Sequence, residues 1–220
     1  MLATNPFVAI TSSDKDKVVD RIKEKIEIQL HINDAVNSGK LIILKGAPGV
    51  GKSTIINWIL KDIQKAKGVE VLKEEFTPSV YNRIRGLNIN PTKKMLVILD
   101  DFNNVEMLDS ASQKKVLGLV NDLARRMGVL LIENRTEGVE KDFKKLGNKF
   151  QRYELGGLSY SDLKQVIVNR LNEVRDVPTD HLDPFTEFEY EKIYKKSGGN
   201  PRIALLICAS LYDQKETSII

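Results

Sequence analysis

The stretch "GAPGVGKST", Gly46 to Thr54, decides how the rest of the chain is read. It satisfies G-x-x-x-x-G-K-[ST] at every fixed position. It comes after the apolar run "LIIL" (Leu41 to Leu44) and precedes a helix-like segment. Strand, glycine-rich turn and helix in that order make a phosphate-binding loop. Glycine at 46 and 51 lets backbone N–H groups turn inward around phosphate oxygens, and the helix N-terminus adds positive potential. The loop of Gly46, Ala47, Pro48, Gly49, Val50, Gly51, Lys52, Ser53 and Thr54 is therefore the expected nucleotide cradle. Lys52 is expected on the β- and γ-phosphates and Ser53 on Mg²⁺. Three uses of the nucleotide stay open: phosphoryl transfer to a small molecule, a conformational switch, or the driving of a multi-subunit machine.

Bulk properties narrow the setting. With 220 residues the chain has room for one α/β domain and a small second one. It is 41% hydrophobic and 29% charged, an ordinary globular composition. A net charge of +4 and a pI near 9.0 suit a nucleic-acid partner and an ordinary basic enzyme alike. Cys208 is the sole cysteine, which excludes an intramolecular disulfide and favours a reducing, cytoplasmic compartment. No apolar run approaches the roughly 18 residues of a membrane span. The start "MLATNPFVAITSSDK" lacks the basic-then-apolar order of a signal peptide.

Periodicity orders the elements. "SSDKDKVVDRIKEKIEIQLHINDAV" predicts an amphipathic helix with Val18, Ile22, Ile26 and Leu30 as its apolar stripe and a capping box at Ser13 and Asp16. Strands are expected at Leu41 to Lys45, in "VEVLKEEF", at "MLVILDD" (Met95 to Asp101), at "VLLIEN" (Val129 to Asn134) and in "KFQRYEL". Between them, "TIINWILKDIQKAKG" reads as a helix with Trp58 as core packing. "SASQKKVLGLVNDLARRMG" reads as a helix with Ser110 or Ser112 as candidate cap, and "KDFKKLG" as helical. The alternation predicts an α/β P-loop core with a five-stranded parallel sheet flanked by helices. After "GGLS" come three helices with no strand between them, so a small all-helical C-terminal lid is expected. The boundaries are 1–156 for the core and 157–220 for the lid.

A second motif is "LVILDD". A buried apolar strand ending in carboxylates beside a phosphate loop is where Mg²⁺ finds its acidic partner, a role that Asp100 fits. Asp101 supplies a second carboxylate able to act as general base toward water, with Glu133 as the alternative. Asn134 stands at the tip of another strand, where ligands gather in parallel sheets; its amide is expected to hold the attacking water or touch the γ-phosphate.

Together these pieces resemble the AAA+ ATPases. "GAPGVGKST", "LVILDD" and the polar tip of "LLIEN" look like Walker A, Walker B and sensor 1. "SGGNPRIALLICASL" (Ser197 to Leu211) resembles the sensor 2 region, with Gly199-Asn200-Pro201-Arg202 in place of its G-x-x-R. The resemblance implies that Arg202 reaches the γ-phosphate from the lid. "NPF" (Asn5 to Phe7) and "GGNPRIAL" are similar to the origin-recognition initiator, DnaA-like and transposition-helper (TniB-type) branch. Two features depart from the family: Asp101 stands where many members have Glu, and Lys149 occupies the arginine-finger stretch, which leaves Lys149 as the finger, Arg152 or Arg135 as substitutes, or no finger at all. Lysine lacks the bidentate fork of arginine.

The expected function is that of a Mg²⁺-dependent ATP/ADP-binding ATPase that forms homo-oligomers and acts on DNA or a DNA-bound protein. Phosphate contacts would come through the loop bearing Arg83, Arg85, Lys93 and Lys94. A slow nucleotide-dependent signalling switch of the STAND type is the alternative, and a small-molecule kinase the third reading.

Overall fold

The computed structural model of the chain describes residues 5–8, 21–65, 68–86, 93–134 and 150–217. Helix α1 spans Ile22–Ser38 and leads into β1 (Lys40–Lys45); after the glycine-rich loop come α2 (Lys52–Lys65), β2 (Val69–Glu75), α3 (Pro78–Arg85) and β3 (Lys94–Asp100). Next are a 3₁₀ turn (Phe102–Met107), α4 (Ser110–Ala124), β4 (Gly128–Glu133) and β5 (Phe150–Glu154). The last elements are α5 (Tyr160–Leu171), α6 (Glu187–Ser197) and α7 (Pro201–Thr217). The strands form one five-stranded sheet in the order β2-β3-β4-β1-β5, parallel throughout.

The apolar runs explain the layering. Leu41 to Leu44, Leu96 to Leu99 and Val129 to Ile132 are all buried, as central parallel strands covered on both faces must be. Side chains alternate along a strand. Leu41, Ile43, Val97 and Leu99 therefore meet Val116, Val120 and Leu123 of α4 together with Phe76 and Phe102. The alternate set covers the opposite face, against which α1 packs along β1, β3 and β4. Edge strand β2 carries exposed Glu70, Lys73 and Glu75, charges that blunt its free edge.

Three local expectations are corrected. In α1 the buried residues are Ile28, Ile32, Ala35 and Val36, whereas Ile22, Ile26 and Leu30 are 55%, 53% and 62% exposed. A strict four-residue spacing drifts by about 40° per step on a helix of 3.6 residues per turn, and the i, i+4, i+7, i+8 set is the one that faces the sheet. Val18 and the Ser13/Asp16 pair lie outside the described residues, as does "KDFKKLG". Helix α4 is capped by Asp109, whose carboxylate accepts from Ala111 N and Ser112 N at 3.0 Å each, one residue before the serines. Trp58 is half-buried at the surface, with Lys25 Nζ 4.0 Å over its ring.

The chain divides into two compact units. One comprises Ile22–Ala47 and Ile55–Leu155 and contains the sheet. The other comprises Met1–Arg21, Pro48–Thr54 and Gly156–Ile220, so the phosphate-loop residues from Pro48 onward belong with the helices α5, α6 and α7. Phe7 is buried in the helical core, its ring 5.8 Å from Phe185 and 5.9 Å from Tyr212. Asn5 Nδ2 donates to Ala209 O at 3.1 Å and to Asp213 Oδ1 at 2.7 Å, which ties "NPF" to α7. Cys208 is buried in the same core, and burial pushes its thiol up to about 12, leaving it an inert apolar side chain. Among the described residues no helix is long and apolar enough to cross a membrane.

Candidate nucleotide site

Because every strand of the sheet is parallel, the carboxyl ends of β1, β3 and β4 lie at one edge of the sheet unit, where parallel sheets gather ligands. Asp100 ends β3. Asp101 comes next with φ 51° and ψ 38°, the left-handed conformation that aspartate tolerates better than most residues. Its N–H donates to Asp100 Oδ1 at 3.0 Å, and its carbonyl accepts from Asn104 N at 2.9 Å. Both carboxylates are half-buried. Asn134, directly after β4, donates its side-chain amide to Asp101 Oδ1 in a short hydrogen bond and its main-chain N–H to Asn103 Oδ1 at 3.2 Å. Two residues separated by 33 positions thus share one hydrogen bond at the sheet edge. The bond holds that carboxylate in one orientation.

Glu133 has a different setting. Its side chain is fully buried and Oε2 lies 3.3 Å from Lys45 Nζ, itself fully buried. A carboxylate held there is screened from the water that a general base must reach, so Asp101 is the better placed of the two.

In the helical unit the loop backbone is shaped by glycine. Gly49 (φ 87°) and Gly51 (φ 102°) take left-handed conformations open to glycine, the kind of backbone that a loop of inward-turned N–H groups requires. At Gly49 space also matters: a Cβ there would lie 2.6 Å from Arg202 Cβ and 2.9 Å from Asn200 Oδ1. Lys52 is buried, while Ser53 and Thr54 are exposed at the start of α2.

The stretch "GGNPR" has a local logic. Gly198 (φ 57°) ends α6, and Gly199 (φ 75°) packs so tightly that a Cβ would sit 2.3 Å from Leu158 O. Asn200 then caps α7: its Oδ1 accepts from Arg202 N at 3.1 Å and Ile203 N at 3.4 Å, with Pro201 in the first helical position. The same side chain donates through Nδ2 to Pro48 O at 2.8 Å. Arg202 extends from this turn with an exposed side chain, its Cβ against Gly49.

Sequence reasoning missed two residues that hold the loop. Asn200 was visible only as part of a match; the Asn-Pro pair after two glycines is the signal for a cap, and nothing local announces its second bond. Arg21 is buried and donates from Nη2 to Val50 O at 3.3 Å and to Gly156 O at 2.7 Å. Its acceptors are main-chain carbonyls 29 and 135 residues away, which leave no trace in side-chain identity.

The remaining candidates stand apart from this geometry. Lys149 and Arg135 lie outside the described residues. Arg152 is exposed on β5 and pairs with Glu154 at 2.7 Å. Arg83 pairs with Glu74 at 3.2 Å, and Lys93 with Glu70, so two of the four cations assigned to DNA contact face acidic residues of β2. Arg85 ends α3 and Lys94 opens β3. Ser53 and Asp100, the two residues expected to bind Mg²⁺, each offer hard oxygens, the kind that ion takes alongside phosphate.

Residues 28–173 match the family model described as Novel STAND NTPase 3. The chain belongs to that family. Comparison with curated proteins returned no match. Among solved structures this STAND NTPase is similar to Drosophila ORC bound to DNA (TM-score 0.67, 16% identity, covering 98% of this chain and 61% of that one). It is also similar to C. elegans PCH-2 (0.59, 17%, 97% and 73%) and to a Thermotoga maritima RuvB variant (0.57, 20%, 89% and 62%). The fold is a P-loop NTPase fold resembling that of ORC, and the chain spans about three fifths of the ORC chain it matches.

Proposed function

We propose that this STAND NTPase binds and hydrolyses ATP with Mg²⁺ and works as a nucleotide-dependent switch whose α7 reads the γ-phosphate. The observation that carries the reading is the seat of α7 on the phosphate loop, through Asn200 on Pro48 and Arg202 against Gly49. A cation that starts on the loop has a reason to respond to what the loop holds.

The substrate is ATP. Loop N–H groups and Lys52 Nζ hold its phosphates, and charge-assisted donors are the strong ones. Ser53 Oγ and the Asp100 carboxylate would hold Mg²⁺, which when bound neutralises charge on the phosphate oxygens. Asp101 takes the proton of the attacking water, and Asn134 keeps the Asp101 carboxylate turned toward it. Arg202 gains an anionic partner with ATP and loses it with ADP. That differential contact is what a two-state device requires.

A second reading is favoured by the basic end of α3 and by the fold shared with ORC bound to DNA. In it, copies assemble in the ATP state and act on DNA or a DNA-bound protein, with Lys149 or Arg152 completing a neighbour's site.

One experiment separates them. ATP turnover is measured against protein concentration with and without duplex DNA, and scattering profiles are taken with ADP and with ATP. Turnover linear in protein and indifferent to DNA, with an ATP-dependent profile, supports the switch. Cooperative, DNA-stimulated turnover supports the assembly, and absence of ATP binding refutes both.

A further inference from the structure

Lys45 and Glu133 end adjacent strands β1 and β4, paired side by side in the last step of the parallel register. Nζ and Oε2 are 3.3 Å apart and both side chains are fully buried. Stability alone does not account for them. Removing two charges from water is costly, and two apolar side chains of similar volume hold a fold at least as well. Every other position from Leu41 to Leu44 and from Val129 to Ile132 is apolar and buried, so apolar residues at 45 and 133 would continue both runs.

The two positions differ from the rest of their strands in their next neighbours along the chain. Gly46 opens the phosphate loop one residue after Lys45. Asn134, one residue after Glu133, carries the bonds to Asp101 and Asn103. Lys45 is held from its other side as well, its carbonyl accepting from Leu155 N at 2.8 Å. Apolar contact is non-directional, whereas an ion pair fixes two strand ends against each other in direction and register. It does so where the β1–β4 ladder stops.

We infer that Lys45 and Glu133 are positioning residues: their ion pair locks the end of β1 to the end of β4 and thereby sets Asn134, and through it Asp101, relative to the entry of the phosphate loop. This inference rests on the ATPase reading above. It adds a coupling between loop and base that neither motif contains.

The test replaces both partners at once, Lys45→Met with Glu133→Leu, so that no buried charge is left alone. The variant is expected to unfold at or above the wild-type temperature and to keep its KM for ATP within about threefold. Its kcat should fall at least tenfold, roughly 1.4 kcal/mol of barrier. Amide hydrogen exchange at Asn134, which reports the Asn103 contact without any turnover, should accelerate at least tenfold. Wild-type kcat and wild-type exchange in a folded variant would overturn the inference, as would a rise in KM with kcat unchanged. Should the apolar pair not fold, Lys45→Met with Glu133→Gln keeps the volume, removes both charges and carries the same readouts. A wild-type protein that binds ATP without hydrolysing it refutes the ATPase reading only; the exchange measurement still decides the role of the pair.

Discussion

The side-chain amide of Asn200 spans two structures at once: Nδ2 donates to Pro48 O at 2.8 Å, while Oδ1 accepts from Arg202 N at 3.1 Å. The residue that caps α7 therefore also holds the phosphate loop, across 152 positions of sequence. The two bonds are separable. Asn200→Asp keeps the capping oxygen and loses the donor, whereas Asn200→Ala loses both. The alanine variant should cost about 1–2 kcal/mol for the cap, the aspartate variant much less. Both should weaken ATP binding to a similar extent, about tenfold. Thermal unfolding read beside a nucleotide titration checks this, and intact affinity in Asn200→Asp would disconnect the bond from function.

Lys52→Ala should abolish useful ATP binding. Lys52 is buried at the start of α2, directly after the glycine loop. A charged hydrogen bond is worth roughly 1.5–3 kcal/mol, at least a tenfold loss of affinity. Calorimetric titration of the folded variant with ATP is the measurement.

Asp101→Asn should bind ATP and fail to hydrolyse it. Asparagine also tolerates the left-handed backbone at 101, so the turn into the 3₁₀ segment survives. The amide cannot accept a proton, and kcat is expected to fall by roughly 10²–10⁴. Single-turnover kinetics at wild-type rate would remove Asp101 from the mechanism. Buried Glu133 is no substitute in its present setting.

Arg202→Ala should still bind ADP and lose the ATP-dependent change of shape or assembly. Its cap is untouched, because Asn200 bonds the main-chain N–H of residue 202. Identical scattering responses to ATP in variant and wild type would refute the switch.

Acid should loosen the helical unit through Glu189. The Lys215 ammonium, hydrogen-bonded at 2.8 Å, and the donors of Thr186 hold its carboxyl below the usual carboxylate range. A folded-state value below the unfolded one means the contribution is present above the ordinary glutamate value of about 4.3 and is lost as pH falls through the folded value. Melting temperatures taken from pH 6 down to pH 3 should fall less steeply for Glu189→Gln than for wild type.

The glycine loop between β1 and α2 and the sheet were legible because their signals are contiguous. Nine consecutive residues from Gly46 to Thr54 impose one backbone path, and uninterrupted apolar runs mark strands covered on both faces. The buried face of α1 differs from the four-residue stripe because that spacing fits the turn of a helix only approximately. Its exposed Ile22, Ile26 and Leu30 look as apolar on paper as its buried Ile28 and Ile32. The cap of α4 went to Asp109, since the carboxylate one residue before the serines reaches two N–H groups.

Sequence by itself determined the local chemistry: a glycine loop leading into Lys52 and Ser53, two carboxylates ending a buried strand, and an asparagine ending another. Tertiary structure alone decided which of these meet. Asn134 reaches Asp101 because the sheet order sets β4 beside β3, and Lys45 faces Glu133 because the same order sets β1 beside β4. Arg21 and Asn200 hold the loop through main-chain carbonyls, which every residue carries alike, so no choice of side chain at Val50, Gly156 or Pro48 could announce the bond. Motifs arise from neighbours along the chain, whereas these pairings arise from strand order and helix placement, which depend on packing the whole apolar set at once.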